Sequence, residues 1–184
     1  MTKDKIYFAS DFHLGSPNLK NSRKRERLII SWLNKIEKDA KAIYLVGDIF
    51  DFWFEYKKVI PKGFVRLLGK LAQLTDNGMA IHLFVGNHDL WMQDYLEKEV
   101  GITVHHDNIT IREGGKEIFV GHGDGLGKGD YFYKFLRKIF TSKICQWAFA
   151  RLHPNFAFSL AHTWSKNGRK SGDSASFISK EKEI

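Results

Sequence analysis

The hydrophobic positions along the chain follow two alternating spacings. Short apolar runs at residues 5–10, 42–47 and 80–86 predict three buried strands. Between these runs, apolar residues recur every three or four positions, which predicts one helix around residues 28–36 and another around 64–74. The second predicted helix is expected to stop at Asp76-Asn77-Gly78, a sequence typical of helix C-termini.

The middle of the chain has a weaker pattern of short elements. A short helix is predicted near residues 92–100, followed by short strands near 102–104 and 109–112. The sequence Glu113-Gly114-Gly115-Lys116 predicts a hairpin turn into a strand at 117–121. This order of elements predicts an α/β layer fold with a mixed sheet.

From Asp130 to about Trp164 the pattern is helical again, with a break predicted at Pro154. Nine Lys and Arg lie between Lys128 and Lys170 against one acid, so this segment alone carries the net charge of +8. It also holds ten of the 26 aromatic residues. Basic and aromatic residues are thus concentrated together, which indicates a specialised surface.

Four of the predicted strands end in a short polar group at their C-terminal ends. These groups are Ser10-Asp11-Phe12-His13, Gly47-Asp48, Gly86-Asn87-His88-Asp89 and Gly121-His122-Gly123-Asp124. The C-terminal ends of strands in an open α/β sheet form the ligand-binding crevice. A single Gly-Asp after a strand is ordinary turn chemistry, but four such groups in order favour a metal site.

The residue types indicate which ions this site would take. Carboxylate, imidazole and carboxamide ligands suit manganese, iron or zinc better than calcium. Two such ions about 3.5–4 Å apart could hold a hydroxide against a phosphorus centre. We assign Asp11 and His13 to one ion, because residues two apart share one side of extended backbone. Asn87 and His122 are assigned to the other ion, with Asp48 bridging the two.

Two further residues are predicted to take part in catalysis. His88 would face the phosphate as general acid or charge stabiliser, and Asp89 would orient its ring. The remaining histidines are expected to have surface or packing roles; they are His82, His105, His106, His153 and His162.

Composition limits the class of protein. A chain of 184 residues with 43% hydrophobic residues can form one globular domain with a sizeable core. Its one cysteine, Cys145, fits a reducing compartment. The sequence has neither the apolar region of a signal peptide nor a run of about 20 apolar residues. We therefore expect a soluble or peripheral, cytoplasmic protein.

The quoted motifs, "DFH", "GD", "GNHD" and "GHGD", resemble those of the calcineurin-like metallophosphoesterases, D-x-H, G-D, G-N-H-D/E, H and G-H-x-H. The resemblance covers roughly residues 6–124. It implies a two-layered β-sandwich flanked by helices, and a centre of two divalent ions, most often manganese (Mn).

A narrower resemblance is to the UDP-2,3-diacylglucosamine pyrophosphatases of lipid A biosynthesis, carried by "SDFHLG", "YLVGDIFDFW", "VGHGDGLGKGD" and "TWSKNGRKS". It implies hydrolysis of a nucleotide-diphosphate lipid at its α-phosphate, giving UMP and the acylated sugar phosphate, lipid X. It also implies substrate contacts, at Asn87, His88, Asp130, Ser165 and Arg169. The chain is divided accordingly into a phosphoesterase core at 1–127, a basic aromatic helical lid at 128–170 and a polar tail at 171–184.

The sequence departs from this family in two places. Many members have Arg where this chain has His88, and the last motif, G-H-x-H, is absent. In the family that motif would add one His to each ion. Either the chain is shortened at its C-terminus, which we favour, or the site is incomplete; the chain could still bind metal weakly and turn over poorly.

Three interpretations of residues 128–170 remain open. In the first, an apolar face takes up acyl chains or enters an anionic membrane surface, and the basic residues meet phosphates. That face comprises Phe132, Phe135, Leu136, Ile139, Phe140 and Ile144, and the basic residues are Lys134, Arg137, Lys138 and Lys143. We favour this lipid interpretation, with the protein peripherally associated with the inner membrane. The alternatives are a nuclease that grips nucleic acid here, and an ordinary helical pair packed on the sheet. A non-catalytic scaffold is a further alternative for the whole protein, and the oligomeric state stays open.

Overall fold

The computed structural model describes residues 3–124, 131–161 and 163. The predicted strands and helices of the first 124 residues are present. Most of their ends shift slightly, but the helix predicted around 28–36 begins much earlier, at Leu19. The elements are β1 (Lys5–Ala9), α1 (Leu19–Ile36), β2 (Ala40–Val46), α2 (Val65–Asp76), β3 (Ala80–Phe84), α3 (Tyr95–Val100), β4 (Thr103–His105), β5 (Ile109–Glu113), β6 (Lys116–Val120), α4 (Tyr131–Thr141) and α5 (Lys143–Phe149).

The strands form two separate sheets. Strands β1 to β4 make a four-stranded parallel sheet in chain order, and β5 and β6 make an antiparallel hairpin with its own hydrogen bonds. The prediction of one mixed sheet is therefore wrong. The hairpin packs on a face of the parallel sheet through a cluster that includes Tyr44, Phe84 and Val120. This gives the two-layered arrangement, flanked by helices, that the resemblance implies.

Strand β2 explains why both faces of the parallel sheet are covered. Successive side chains of a strand point to opposite faces. Ile43 and Leu45 belong to the large cluster that includes residues of α1, α2 and α3, whereas Ala42 and Tyr44 belong to the cluster under the hairpin. Because both of its faces are apolar, β2 lies in the interior of the sheet, between β1 and β3.

The helical region after β6 is interrupted twice. Ser142 separates α4 from α5, a break that was not predicted, and a further helical stretch covers 154–161. The break predicted at Pro154 is present at 150–153, and Pro154 begins the next stretch, since proline is tolerated in the first turn of a helix. Among the helices of the described ranges, none has the length and apolar character needed to cross a bilayer.

Candidate metal centre

The predicted ligands meet at one edge of the parallel sheet. Strands β1, β2 and β3 run in the same direction, so the residues that follow them lie together at their carboxyl ends. The end of β6 reaches the same edge, where Nδ1 of His122 lies 3.0 Å from the carbonyl oxygen of Val46 at the end of β2. Four chain segments that are distant in sequence thus converge on one site.

The backbone turns sharply at three of these residues. Asp11, His13 and Asp48 have φ angles of 58°, 42° and 54°, in the left-handed region that non-glycine residues seldom adopt. The expectation of an extended backbone at Asp11 and His13 is therefore wrong, although their side chains do come together. Hydrogen bonds hold the turns: the His13 N–H donates to the Asp48 carbonyl at 2.9 Å, and the Arg25 guanidinium donates to the His13 carbonyl, also at 2.9 Å. Strained backbone of this kind, costing about 1–3 kcal/mol per residue, is typical of functional sites.

The first group of donor atoms consists of Asp11, His13 and Asp48. Nε2 of His13 lies 3.7 Å from Oδ1 of Asp11 and 3.8 Å from Oδ2 of Asp48. One ligand atom from each of the three residues lies within 4.8 Å of the other two, a spacing that one cation can fill.

The second group shares the same carboxylate oxygen. Nε2 of His122 lies 3.5 Å from Oδ2 of Asp48 and 3.2 Å from Oδ1 of Asn87. The other oxygen of Asp48 accepts the N–H of His88 at 3.0 Å, which fixes the orientation of the carboxylate. Asp48 Oδ2 therefore lies between the imidazoles of His13 and His122, as a bridging ligand requires.

The donor set fits a pair of transition-metal ions. The Nδ1–H of His122 donates to the Val46 carbonyl, so its Nε2 faces Asp48 and Asn87. Contact with Asp48 raises the pKa of His122 to about 9, so without a cation a proton occupies this position. A bound cation displaces that proton.

The carboxylate and the other imidazole have the protonation states that ligands need. Burial by itself raises the pKa of Asp48, but the contact with His122 and the N–H of His88 together hold it below its ordinary value. Asp48 is therefore ionised at neutral pH. Burial lowers the pKa of His13 and outweighs the charge of Asp48, which would raise it. The lowered pKa favours the neutral imidazole, the form that binds a metal.

Two glycines of the motifs make the close approach possible. A Cβ atom at Gly47 would overlap the ring of His122, and one at Gly86 would overlap the carboxylate of Asp48. Any side chain at either position would push a predicted ligand out of place. The glycines of "GD" and "GNHD" are thus explained by the space the ligands occupy.

Asp89 does not orient His88, and that prediction is wrong. Asp89 is fully buried; its Oδ2 accepts the N–H groups of Ile49 at 2.8 Å and Phe50 at 3.2 Å, and its Oδ1 accepts that of Gly86 at 2.7 Å. These bonds tie the loop after β2 to the loop after β3. Burial, with the charge of Asp48, raises the pKa of Asp89 to about 6.

Asp51 takes the place beside His88 that was predicted for Asp89. Nδ1 of His88 lies 3.1 Å from the carbonyl oxygen of Asp51 and 3.8 Å from its Oδ1. Asp51 is buried, and ligand atoms of His13, Asp51 and His88 also lie within 4.8 Å of one another. The only sequence signal for Asp51 was an acid inside the apolar run "GDIFDFW".

The loops that carry the predicted ligands also hold the helices that follow β6. Phe52 and Phe54 after β2, and Trp91 after β3, form an aromatic cluster with Phe149 of α5. The indole N–H of Trp91 donates to the carbonyl of Phe140 in α4 at 2.6 Å. The predicted substrate contacts at Asp130, Ser165 and Arg169 lie outside the described residues.

Comparison with known proteins agrees with the fold. The family model for calcineurin-like phosphoesterases matches residues 4–176. A UDP-2,3-diacylglucosamine hydrolase of Porphyromonas gingivalis is 43% identical over 93% of this chain and 66% of its own length. A protein of the same name from Vibrio vulnificus is 29% identical over 79% of this chain and 58% of its own length. One from Pseudomonas putida is 28% identical over 89% of this chain and 66% of its own length. The chain thus spans less than two thirds of each of these relatives.

Proposed function

The chain belongs to the calcineurin-like phosphoesterase family, and from this premise we propose that it hydrolyses the diphosphate of UDP-2,3-diacylglucosamine in lipid A biosynthesis. Water would attack the α-phosphate, giving UMP and 2,3-diacylglucosamine 1-phosphate, which is lipid X. The relatives that carry the name of this activity support the choice of substrate. The observation that carries the proposal is the position of Asp48 Oδ2, within 4 Å of the imidazoles of both His13 and His122.

Calcineurin-like phosphoesterases use divalent metals, and the residues of this site fit two of them. Asp11, His13 and Asp48 would hold one ion, and Asp48, Asn87 and His122 the other. Manganese is our choice, with zinc or iron as alternatives. When bound, such ions lower the pKa of a coordinated water and neutralise charge on the phosphate.

The chain's own side chains would position the substrate around that centre. The ring of His88 is held at Nδ1 by the Asp51 carbonyl, and in its protonated form its Nε2–H would donate to a phosphate oxygen, as a general acid requires. Asn87 is exposed, so its amide can reach both an ion and the substrate. Asp89 would act indirectly, because its hydrogen bonds set the distance between the loops that carry Asp48 and His88.

We further propose that residues 128–170 form a lid that meets the lipid, with the protein peripherally bound to the cytoplasmic face of the inner membrane. Several apolar side chains there face outward: Phe135 is 61% exposed, Ile144 78% and Trp147 61%. Exposed apolar residues next to basic ones suit an interface with anionic lipid. By resemblance, Asp130, Ser165 and Arg169 would contact the sugar and phosphate.

The proposal is tested by UMP release from UDP-2,3-diacylglucosamine in the presence of Mn²⁺, beside a generic phosphodiester. We expect Asp48→Ala to lower UMP release by more than about 1,000-fold, because it removes the ligand shared by both ions. Asp76→Ala, at the exposed end of α2, is the matched control. UMP release by Asp48→Ala near the wild-type rate would contradict the mechanism. Cleavage of only the generic phosphodiester, or of nucleic acid, would favour another phosphoesterase, and purification without stoichiometric metal would favour a scaffold.

A further inference from the structure

A cavity of about 370 Å³ opens beside the predicted metal centre, on the side of the hairpin. His122 and Asp124 form its inner end, and its walls come from α4 and from the connection between β4 and β5. Its volume lies within the range of about 300–1,000 Å³ that is typical of small-molecule sites. A molecule bound here would therefore reach one of the two predicted ions directly.

The wall formed by α4 is cationic. Lys134, Arg137 and Lys138 line it, since residues three and four apart lie on one face of a helix. Nε of Arg137 lies 2.8 Å from Oδ2 of Asp124, which places the guanidinium next to the end of β6. These three cations outnumber the two carboxylates that line the cavity, Asp107 and Asp124, and the excess of positive charge suits the phosphate of a ligand.

The opposite wall combines flat rings with hydrogen-bonding groups. The ring of His105 stacks on that of Phe84 at a centroid distance of 4.7 Å and an interplanar angle of 23°. His106, Asp107 and Asn108 continue this wall and are exposed. Rings of this kind stack on nucleobases, and the Asp107 and Asn108 side chains can hydrogen-bond to the edge of a pyrimidine.

Acyl chains would find little to contact among the described residues of this cavity. There the apolar lining consists of Phe84 and Val85, both buried, and Ile144 and Trp147, exposed on α5, are not part of it. We propose that the cavity receives the nucleoside monophosphate end of the substrate, so that UMP leaves from this side. The diacylated sugar then extends from the opposite side of the centre. This assignment rests on the proposed function for the identity of the nucleotide.

Binding of UMP itself tests the assignment. Calorimetry on the Mn²⁺-loaded chain is expected to show a dissociation constant for UMP about 10-fold higher in Lys138→Ala and in His106→Ala, because each loses one contact to the nucleotide. These residues are exposed on opposite walls, so their replacement leaves the core intact. Lys116→Ala, in the hairpin turn and away from the cavity, is the control and should bind UMP as the wild type does.

A second ligand shows which end of the substrate the cavity binds. Affinity for 2,3-diacylglucosamine 1-phosphate in mixed micelles should change by less than about twofold in both cavity variants. Loss of that affinity with unchanged UMP binding would assign the cavity to the lipid end and overturn the proposal. Failure of the wild type to bind UMP would also overturn it.

Hydrolysis is scored separately, so the two proposals can fail independently. A chain that releases UMP, but whose cavity variants bind UMP normally, keeps the proposed function and loses the subsite. A chain that binds UMP in this cavity without cleaving UDP-2,3-diacylglucosamine keeps a nucleotide site and loses the proposed function.

Discussion

The parallel sheet and the α4–α5 segment have apolar residues at regular spacings, yet they bury them to different extents. Ile43 and Leu83 of the sheet are at most 2% exposed, whereas Ile144 of α5 is 78% exposed. Helices cover one face of the sheet and the hairpin covers the other, while in the described part of the chain the ring contacts of α5 with the loops of the site are made by Phe149. Periodicity thus shows which residues share a face, but what covers that face depends on the rest of the fold.

The same contrast holds at the scale of single atoms. In the strand-end loops the backbone of Gly86 approaches the Asp48 carboxylate so closely that no Cβ fits between them. Along the outer side of α5, large side chains face outward. One added methyl group in the loops should therefore matter more than the loss of several carbons from the outer side of α5.

Gly86→Ala should have the largest effect. Its Cβ would displace Asp48, so we expect loss of stoichiometric Mn²⁺, loss of UMP release and a lower melting temperature. Gly69→Ala is the matched control, because a Cβ there meets no atom within 4 Å and the residue lies inside α2. That change should stabilise the protein by about 0.5–1 kcal/mol. Metal analysis and thermal melting of the two variants measure these effects. Normal Mn²⁺ content in Gly86→Ala would contradict the packing argument.

Asp51→Asn should have the next largest effect. The change removes the charge beside His88 but keeps the shape of the side chain, so kcat should fall by about 10–100-fold while two Mn²⁺ per chain are retained. Asp39→Asn, beside Lys5 at the other end of the strands, is the control. Loss of one Mn²⁺ in Asp51→Asn would instead make Asp51 a ligand, together with His13 and His88.

Asp51 and Asp89 also show where sequence-based prediction of this site reached its limit. The motifs placed Asp11, His13, Asp48, Asn87 and His122 together because their order and strand-end positions are local features. Asp89 was given the role of Asp51 because it is next to His88 in sequence, yet adjacent side chains in a turn point in different directions. Only the packing of the two loops reveals that Asp89 bonds to backbone N–H groups and that Asp51 meets the ring.

The fold was predictable to a similar depth. The hairpin followed from Gly114-Gly115, whose positive φ angles suit the turn. That the hairpin forms a sheet of its own could not be predicted from the sequence, because strand pairing depends on contacts between distant segments. The break before Pro154 was predictable, because proline is tolerated in the first turn of a helix but not in its interior.

Phe149→Ala and Ile144→Ala compare the two sides of α5. Phe149 packs on Phe54 and Trp91 at centroid distances of 4.9 and 4.6 Å, so its loss should destabilise the protein by about 1–2 kcal/mol. Ile144→Ala should change stability by less than about 0.5 kcal/mol, but it should reduce sedimentation with anionic vesicles. Thermal melting and vesicle sedimentation measure the two effects. Equal destabilisation by both changes would mean that the outer side of α5 is covered.

The smallest expected effect concerns pH and the hairpin side of the sheet. Burial lowers the pKa of His82 and His105, whose ring nitrogens lie 3.0 Å apart, from the ordinary value of 6.5. Below pH 6.5 the unfolded chain therefore binds more protons than the folded one. The contribution of these two histidines to the free energy of unfolding is complete above pH 6.5 and is lost as the pH falls below it. His82→Gln should therefore show a smaller drop in urea midpoint between about pH 7.5 and 5.5 than the wild type. An equal drop in both would exclude this pair as a source of the pH dependence.

Anomalous diffraction from crystals grown with Mn²⁺ tests most directly whether Asp48 Oδ2 is shared by two cations. We predict two peaks about 3.5–4 Å apart, one beside His13 and one beside His122, with the Asp48 carboxylate between them. A single peak, or peaks that Asp48 does not touch, would contradict the bridging role and the hydrolysis proposed from it.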